Sequence, residues 1–373
     1  MNMSTAQLRV TSKSLPEHNR RHNRSLLLQL LFHSDELSRA DLARQSGLTR
    51  ATVSDVIADL TADGLIIEHG QRTDARVGKP AQLIGLDDRA YHVIALDLSV
   101  DGVFVGAITT MRGEIVHRAS QPTAGARGED AVTIAVSLLR DLVRRSTVRL
   151  LGIGVATPGI IDHAGVVRAA PNLGWHDLDL RTRLAREVSV PVHIANDANA
   201  AALAVHTERR APGQSLLTIA IEHGVGAGLI LADALVEGDQ FGAGEIGHVT
   251  VDDDGEMCAC GRRGCLERAI AVPHLRRRLA ATDDREQVLR DAGRSLGIAL
   301  SPVVATLNLN AIVVAGPADL LEGPFLDAAL ATIRTRTLPD VSSALQMSLA
   351  EHTDELALRG ATALVLAAEL RIS

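Results

Sequence analysis

The sequence predicts a large α/β body preceded by a small module of three helices and two strands. Three observations carry this expectation. Apolar residues recur at helical spacing up to about residue 64, strands alternate with helices from about Tyr91 onward, and 373 residues exceed one ordinary domain. Hydrophobic residues make up 46% of the chain and aromatics only 2%, so alanine, valine and leucine must fill the cores. No apolar run is long enough to span a bilayer. Arg20, Arg21 and Arg24 precede a short run that soon turns polar, which is not a secretory pattern. A cytoplasmic protein with reduced cysteines is expected. The formal charge of −7 divides unevenly: residues 1–85 hold 11 Lys/Arg and 9 Asp/Glu, a charge of +2, and the remainder carries −9. That asymmetry suits a first module facing a polyanion, carried on an acidic body.

Residues 1–22 are polar, contain Pro16 and clustered basic residues, and are expected to form a mobile tail. Within 23–86, Leu26, Leu27, Leu30 and Leu31 mark the apolar face of a first helix. Ser38 is suited to cap a second, with Asp41 placed for a weak capping box. Leu42 and Ala43 would face inward, and Gly47 supplies a turn plugged by Leu48. Thr49 caps a third helix whose Val53, Val56, Ile57 and Leu60 form one buried stripe. Arg50, Thr52 and Ser54 lie on the opposite face near its N-terminus, where side chains can touch base edges and phosphates in a major groove. Gly64 ends this helix. Residues 65–67 and 82–84 read as two strands, and the loop between them holds Arg72, Arg76, Gly78, Lys79 and Pro80. A basic loop between paired strands is a wing that reaches a backbone or minor groove. The alternative is a three-helix protein-interaction module, or a charged face without a partner. The turn glycine, the polar N-terminal face and the basic loop together favour DNA. Ser38 to Leu65 resembles the winged helices of bacterial repressors, which makes 23–86 a winged helix-turn-helix DNA-binding domain.

In the body, strands are expected at 92–98, 103–108, 150–155, 216–221, 228–231 and 311–315, with a helix near 130–145. Such mixing argues for two lobes around a cleft: 91–195 with a returning C-terminal helix at 355–373, and 196–354. Gly224, Gly226 and Gly228 lie between strands instead of opening a helix, so the dinucleotide fingerprint fails its context test. They predict either a tight hairpin needing positive φ or a ligand contact. Gly78-Lys79-Pro80 is likewise no phosphate-binding loop.

Cys258, Cys260 and Cys265 are all the cysteines of the chain. With His248 they offer three thiolates and one imidazole, the donor set of a closed tetrahedral zinc site. Gly261 and Gly264 let the chain turn tightly enough to bring the sulfurs together. The bland alternative is three buried apolar cysteines beside an unrelated histidine. Disulfides fit less well, because three is odd and the 258/260 spacing is too short for an ordinary bridge.

Several separated stretches now resemble one family. Asn196-Asp197-Ala198-Asn199-Ala200-Ala201, Gly242-Ala-Gly244-Glu-Ile-Gly-His248 and Cys258-Ala-Cys-Gly-Arg-Arg-Gly-Cys265-Leu-Glu267 are similar to signatures of the ROK family (repressors, open reading frames and sugar kinases). Ala156-Thr-Pro-Gly-Ile-Ile-Asp162 and Asn172-Leu-Gly-Trp175 match further family stretches. The resemblance begins near Tyr91 and implies an actin-like two-lobed fold, with one structural zinc per chain beside a sugar pocket. It places Asn196, Asp197, Glu245, His248 and Glu267 at the family's sugar-contacting positions, where amide, carboxylate and imidazole groups grip hydroxyls. His248 would serve twice, with one ring nitrogen on zinc and the other toward the sugar. Taken alone, Asn196-Asp197 is a helix-capping pair, and Trp175 is a packing residue.

The kinases of this family carry an Asp-x-Gly-Gly-Thr turn that admits ATP phosphates. Here the stretch is Asp97-Leu98-Ser99-Val100-Asp101-Gly102, whose side chains from Leu98 to Asp101 are expected to obstruct the nucleotide. Val314-Ala315-Gly316-Pro317 similarly departs from a glycine triplet that resembles the kinases' adenosine contact. Asp197 corresponds to the kinases' general base and is read as retained for binding. The expectation is a protein without catalytic residues: a sugar-responsive regulator, a repressor, acting on operator DNA as a homodimer or homotetramer, with a sugar or sugar phosphate as effector. The alternatives are an active ATP-dependent sugar kinase carrying a DNA-binding module, and a regulator that senses zinc.

Overall fold

The structure is a computed structural model that describes residues 16–71, 82–209 and 213–372. The basic loop residues Arg72, Arg76, Gly78, Lys79 and Pro80 lie outside the described residues. The chain forms two compact units, one of the residues up to Ala90 together with Leu370–Ile372, the other of Tyr91–Glu369.

The first unit contains helices α1 (Pro16–Phe32), α2 (Arg39–Ser46) and α3 (Arg50–Ala62), and strands β1 (Leu37–Ser38), β2 (Ile66–Gln71) and β3 (Gln82–Leu86). The strands pair antiparallel in the order β1-β3-β2. Helix α1 begins at Pro16, inside the segment expected to be a tail. It buries Leu27, Leu28, Leu31 and Phe32, whereas Leu26 and Leu30 are only half-buried. The stripe is rotated from the expected one because bulky Phe32 takes an interior place.

The second helix starts on a complete capping box. Ser38 Oγ accepts from the Asp41 amide at 3.1 Å, and an Asp41 carboxylate oxygen accepts from the Ser38 amide at 3.3 Å. Gly47 adopts φ 71°, the left-handed conformation that the turn into α3 requires. Thr49 caps α3 by accepting from the Thr52 amide, and Val53, Val56, Ile57 and Leu60 are each no more than 3% exposed. Arg20 and Arg24 of α1 pair with Asp59 and Asp63 at the end of α3. Ser25 Oγ donates to the carbonyls of Leu370 and Arg371, and Ile372 is buried. These last residues therefore complete the first unit, unlike the expected assignment of all of 355–373 to the body.

The body opens with β4 (His92–Asp97), β5 (Val103–Thr109), β6 (Ile115–Pro122), α4 (Gly128–Arg145) and β7 (Leu150–Thr157). A small antiparallel sheet of β8 (Ile160–Ile161), β9 (Val166–Ala170) and β10 (Trp175–Asp179) follows, then α5 (Leu180–Ala185) and β11 (Val192–Asn196). Trp175 is buried in the core of this lobe and donates its indole N–H to the Gly128 carbonyl, a packing role. The second lobe runs through α6 (Asp197–Arg209), β12 (Leu216–Ile221), β13 (Val225–Leu231), β14 (Ala234–Leu235), α7 (Leu266–Ile270), α8 (Val272–Leu279), α9 (Arg285–Leu307), β15 (Ala311–Ala315), α10 (Ala318–Leu321), α11 (Pro324–Arg336), α12 (Pro339–Ser342) and β16 (Gln346–Leu349). Helix α13 (Leu356–Glu369) closes the body.

The two main sheets follow one path. Their orders are β6-β5-β4-β7-β11 and β14-β13-β12-β15-β16, each an antiparallel meander extended by two parallel strands. The architecture is duplicated although no repeat is visible in the residues. Helix α6 leaves the first sheet and packs on β12 and β13; α13 leaves the second and packs on β4, β7 and β11; the two helices also pack on each other.

These crossings tolerate no side chain. A Cβ on Gly360 would lie 1.8 Å from the Ala200 carbonyl oxygen, and one on Gly154 would lie 1.9 Å from that of Ala361. Gly224, Gly226 and Gly228 do not adopt positive φ, contrary to the hairpin expectation. Gly226 and Gly228 instead lie beneath α6, where a Cβ on Gly228 would come within 2.5 Å of the Ala202 side chain. Among the described residues, no helix is long and apolar enough to cross a membrane.

Candidate metal centre and adjoining cleft

His248, Cys258, Cys260 and Cys265 converge, with their donor atoms all within 4.8 Å of one another. Backbone geometry brings them there. The segment from Thr250 to Cys265 folds back on itself through Val251 N–H to Gly264 O and Gly264 N–H to Glu256 O, with Cys258 N–H closing on Arg262 O. Gly264 has φ 64°, and a Cβ there would collide with the Asp252 carbonyl, so only glycine fits the fold-back. Glu256 then ties the loop to α7 and α8 through Arg268 and Arg277.

The donor spacing tests the fit to a metal. Cys260 Sγ and Cys265 Sγ are 3.6 Å apart, and Cys258 Sγ is 3.7 Å from His248 Nδ1. A tetrahedral ion holding sulfur at about 2.3 Å and nitrogen at about 2.0 Å places its donors roughly 3.5–3.8 Å apart. No sulfur pair is at the roughly 2.05 Å of a disulfide. Soft donors at that spacing suit a thiophilic dication. His248 presents Nδ1 to Cys258 and Nε2 toward Glu245, whose carboxylate is 4.0 Å away. Its two ring nitrogens thus face the metal position and the cleft.

The cleft carries the remaining expected residues. Glu267 opens α7, and its carboxylate accepts from the Val225 amide at 3.2 Å while facing Cys258 Sγ at 3.8 Å. Asn196 ends β11 and caps α6: its Oδ1 accepts from the amides of Ala198 and Asn199, and its Nδ2 donates to Gly159 O. The structure thus gives Asn196 a positioning role, holding the first residue of α6 at the cleft. That residue is Asp197. Burial first, then the neighbouring charges of Asp97 and Glu245, push its carboxyl up from the ordinary 3.8 to about 7. Burial also raises Glu245, which Glu267 reinforces and His248 opposes. Asp97, Asp197, Glu245 and Glu267 therefore share one electrostatic neighbourhood.

Because the folded protein holds the Asp197 proton more tightly than the unfolded chain, this residue's contribution to stability declines as pH rises from 3.8 through about 7. Asp197→Asn is expected to raise the melting temperature more at pH 8 than at pH 5. An equal or larger gain at pH 5, in thermal unfolding at both values, would contradict that environment.

Leu98 does not obstruct the turn after β4 as expected. It is 1% exposed and packs in the first lobe's core. Ser99, Val100 and Asp101 occupy the turn, with Ser99 donating from both N–H and Oγ to Asp97 Oδ1. Opposite, Glu222 and His223 occupy the turn between β12 and β13, and His223 Nε2 lies 3.6 Å from Asp101 Oδ2. Sequence reasoning passed over these two residues, although a charged pair between two apolar strands was a readable signal.

On α3, Arg50 is exposed at the first helical position. The Thr52 hydroxyl is engaged with Thr49 Oγ1 at 2.9 Å, and Ser54 Oγ donates back to the Arg50 carbonyl. Of the three expected contact residues, only Arg50 projects an uncommitted polar group. A groove of about 740 Å³ on the first lobe, lined partly by Arg140, Arg144 and Arg183, shares no residue with the cleft. Those arginines are paired with Glu187, Asp141 and Glu129.

Comparison with known proteins adds to this geometry. Residues 93–368 match the sequence profile of the ROK family, and residues 24–86 that of a Crp-like helix-turn-helix domain. The chain is 27% identical over 346 residues to a xylose repressor of Bacillus spizizenii, covering 87% of this chain and 90% of that protein. A crystal structure described as a ROK family transcriptional regulator, homolog of the Escherichia coli MLC protein, superposes with a TM-score of 0.81 at 22% identity. It covers 95% of this chain and 97% of its own. A ROK hexokinase from Thermus thermophilus matches with a TM-score of 0.63 at 28% identity, over 75% of this chain and 99% of its own.

Proposed function

The chain belongs to the ROK family, and from that premise we propose that it is a sugar-responsive transcriptional repressor of the cytoplasm. The observation that carries this reading is the union, on one chain, of a helix-turn-helix unit with a two-lobed body in which Asp197, Glu245, His248 and Glu267 are neighbours. Arg50 reads operator bases from the start of α3, and Arg72, Arg76 and Lys79 add backbone contacts from the wing. A homodimer or homotetramer presents paired helices to a two-fold operator. Carboxylates of the cleft accept hydrogen bonds from sugar hydroxyls, and His248 Nε2 adds a further contact. His248, Cys258, Cys260 and Cys265 would hold one zinc, whose bonding is structural because all four tetrahedral positions are filled by protein donors. The sugar changes DNA affinity by favouring one arrangement of the lobes over another.

The protein is read as a binder of sugar and not a kinase. Ser99 and Val100 replace the two phosphate-turn glycines of the family's kinases, and Asp101 and Glu222 add negative charge where polyphosphate would lie. Sustained ADP production that depends on a sugar and disappears in Asp197→Asn would restore the kinase reading.

DNA anisotropy titrations with and without sugar test the repressor. Arg50→Ala is expected to cost about 1–3 kcal/mol on the cognate operator and to relax base preference. Glu245→Ala is expected to bind operator normally and to lose its response to the sugar. Unchanged operator preference in the first variant, or a normal sugar response in the second, would overturn the corresponding assignment.

A further inference from the structure

The cleft has a wall that neither the metal nor the hydroxyl-gripping residues account for. It is built from two hairpin turns, residues 98–102 after β4 and 222–224 after β12, and these two strands occupy equivalent places in the two sheets. The turns meet at Asp101 and His223. Beside them, Glu222 feels the charge of both Asp97 and Asp354, and the charge of Asp97 also acts on Asp197. Glu267, Glu245, Asp197, Asp97, Glu222 and Asp101 are thus linked one to the next, by mutual charge or, for the last two, through His223. The facing cations are few: the two histidines, Arg118 near Asp97 and Arg276 near Glu222. The body contributes no lysine at all, since the chain's two are Lys13 and Lys79.

We infer that Glu222, together with Asp97 and Asp101, is the specificity-determining end wall of the sugar site and restricts the effector to an unphosphorylated sugar. This rests on the sugar-responsive reading above and deepens it by choosing between sugar and sugar phosphate. The carboxylates are acceptors only, which matches them to hydroxyl donors. A phosphomonoester has no such match: it brings about −1.5 to −2 charges and needs guanidinium forks, ammonium groups or free backbone amides. Several amides at and beside the wall are already engaged. Ser99 N–H donates to Asp97, Glu222 N–H to Gly224 O, and the Ala198 and Asn199 N–H groups at the start of α6 to Asn196. The α6 N-terminus, the natural anion seat beside Asp197, is thus closed by the chain itself.

Isothermal titration of the full-length, zinc-loaded protein tests this with D-xylose, D-glucose and N-acetyl-D-glucosamine, each against its own monophosphate. At least one free sugar is expected to bind, with its phosphate at least about tenfold weaker. Glu222→Gln is expected to narrow that gap by about threefold or more, the phosphate gaining relative to the free sugar; Glu222→Asp, which keeps the charge, should preserve the gap. A phosphate that binds as tightly as its free sugar, or a gap unmoved by Glu222→Gln, overturns the end-wall inference alone. Binding of neither free sugars nor phosphates overturns the sugar-responsive reading and this inference with it.

Discussion

Cys260→Ser is expected to strip the protein of its metal and to loosen the segment from Gly244 to Glu267. The wild type should carry about one zinc per chain. Cys260 is the exposed member of the set, so its replacement opens no cavity in the core and isolates the ligand effect. A serine hydroxyl stays protonated and hard, and three donors then remain for an ion that four enclosed. Metal binding in such sites is folding free energy, on the order of 10–16 kcal/mol in zinc-finger peptides at neutral pH. The loss should fall on the loop and not on the whole lobe, whose core of Leu266, Ile270, Leu296, Phe325 and their neighbours forms without the sulfurs. Because Cys258 touches both His248 and Glu267, the variant should also lose its sugar response while retaining operator binding. Elemental analysis and thermal unfolding, with and without a chelator, check both parts. A freshly reduced wild type without zinc, or a variant that keeps its full complement, would remove the metal centre from this account.

Gly360→Val is expected to be strongly destabilising to the body. At Gly360, α13 crosses α6 backbone against backbone, and a Cβ would sit 1.8 Å from the Ala200 carbonyl oxygen. No rotamer relieves that overlap, because the obstacle is main chain. Overpacking of a core side chain costs typically about 1–3 kcal/mol; here two helices must separate, and a loss at or above the top of that range is expected. Gly70→Ala is the control, with open space around its Cβ and an expected effect within about 0.5 kcal/mol. Denaturant midpoints for the two variants should differ widely. Equal midpoints would mean that the helices do not cross where the structure has them.

These two sites also mark where sequence reading succeeds and fails. The donor set around Cys260 was legible because four ligands lie within one short stretch and their chemistry is specific. The Ser38–Asp41 box and the α3 stripe were legible for the same reason: capping and helical periodicity are local. The requirement at Gly360 was not legible, since it comes from a helix that begins at Asp197. Gly226 and Gly228 misled in the same way, inviting a turn when what they provide is room for α6. Strand β1 was missed because its two residues pair only with β3, far along the chain. Asn196 was placed at the cleft by resemblance, yet its amide is occupied in capping α6, so its contribution there is through the position of Asp197. Thr52 and Ser54 lie on the expected face of α3, but their hydroxyls are bonded to their own helix.

The first unit is built from stretches that precede and follow the body in the sequence. Ile372 is buried in it and Ser25 holds the carbonyls of Leu370 and Arg371, so the helix-turn-helix is not an independent bead that precedes the rest. During synthesis, α1 leaves the ribosome early, but Ser25 meets the carbonyls of Leu370 and Arg371 only after some 280 residues of body have followed. Exchanging DNA readers between relatives therefore requires two seams, one near Ala90 and one after Glu369. A chimera joined only at Ala90 sets a foreign helical unit against the native Leu370–Ile372 and leaves Ile372 without the pocket that was shaped for it.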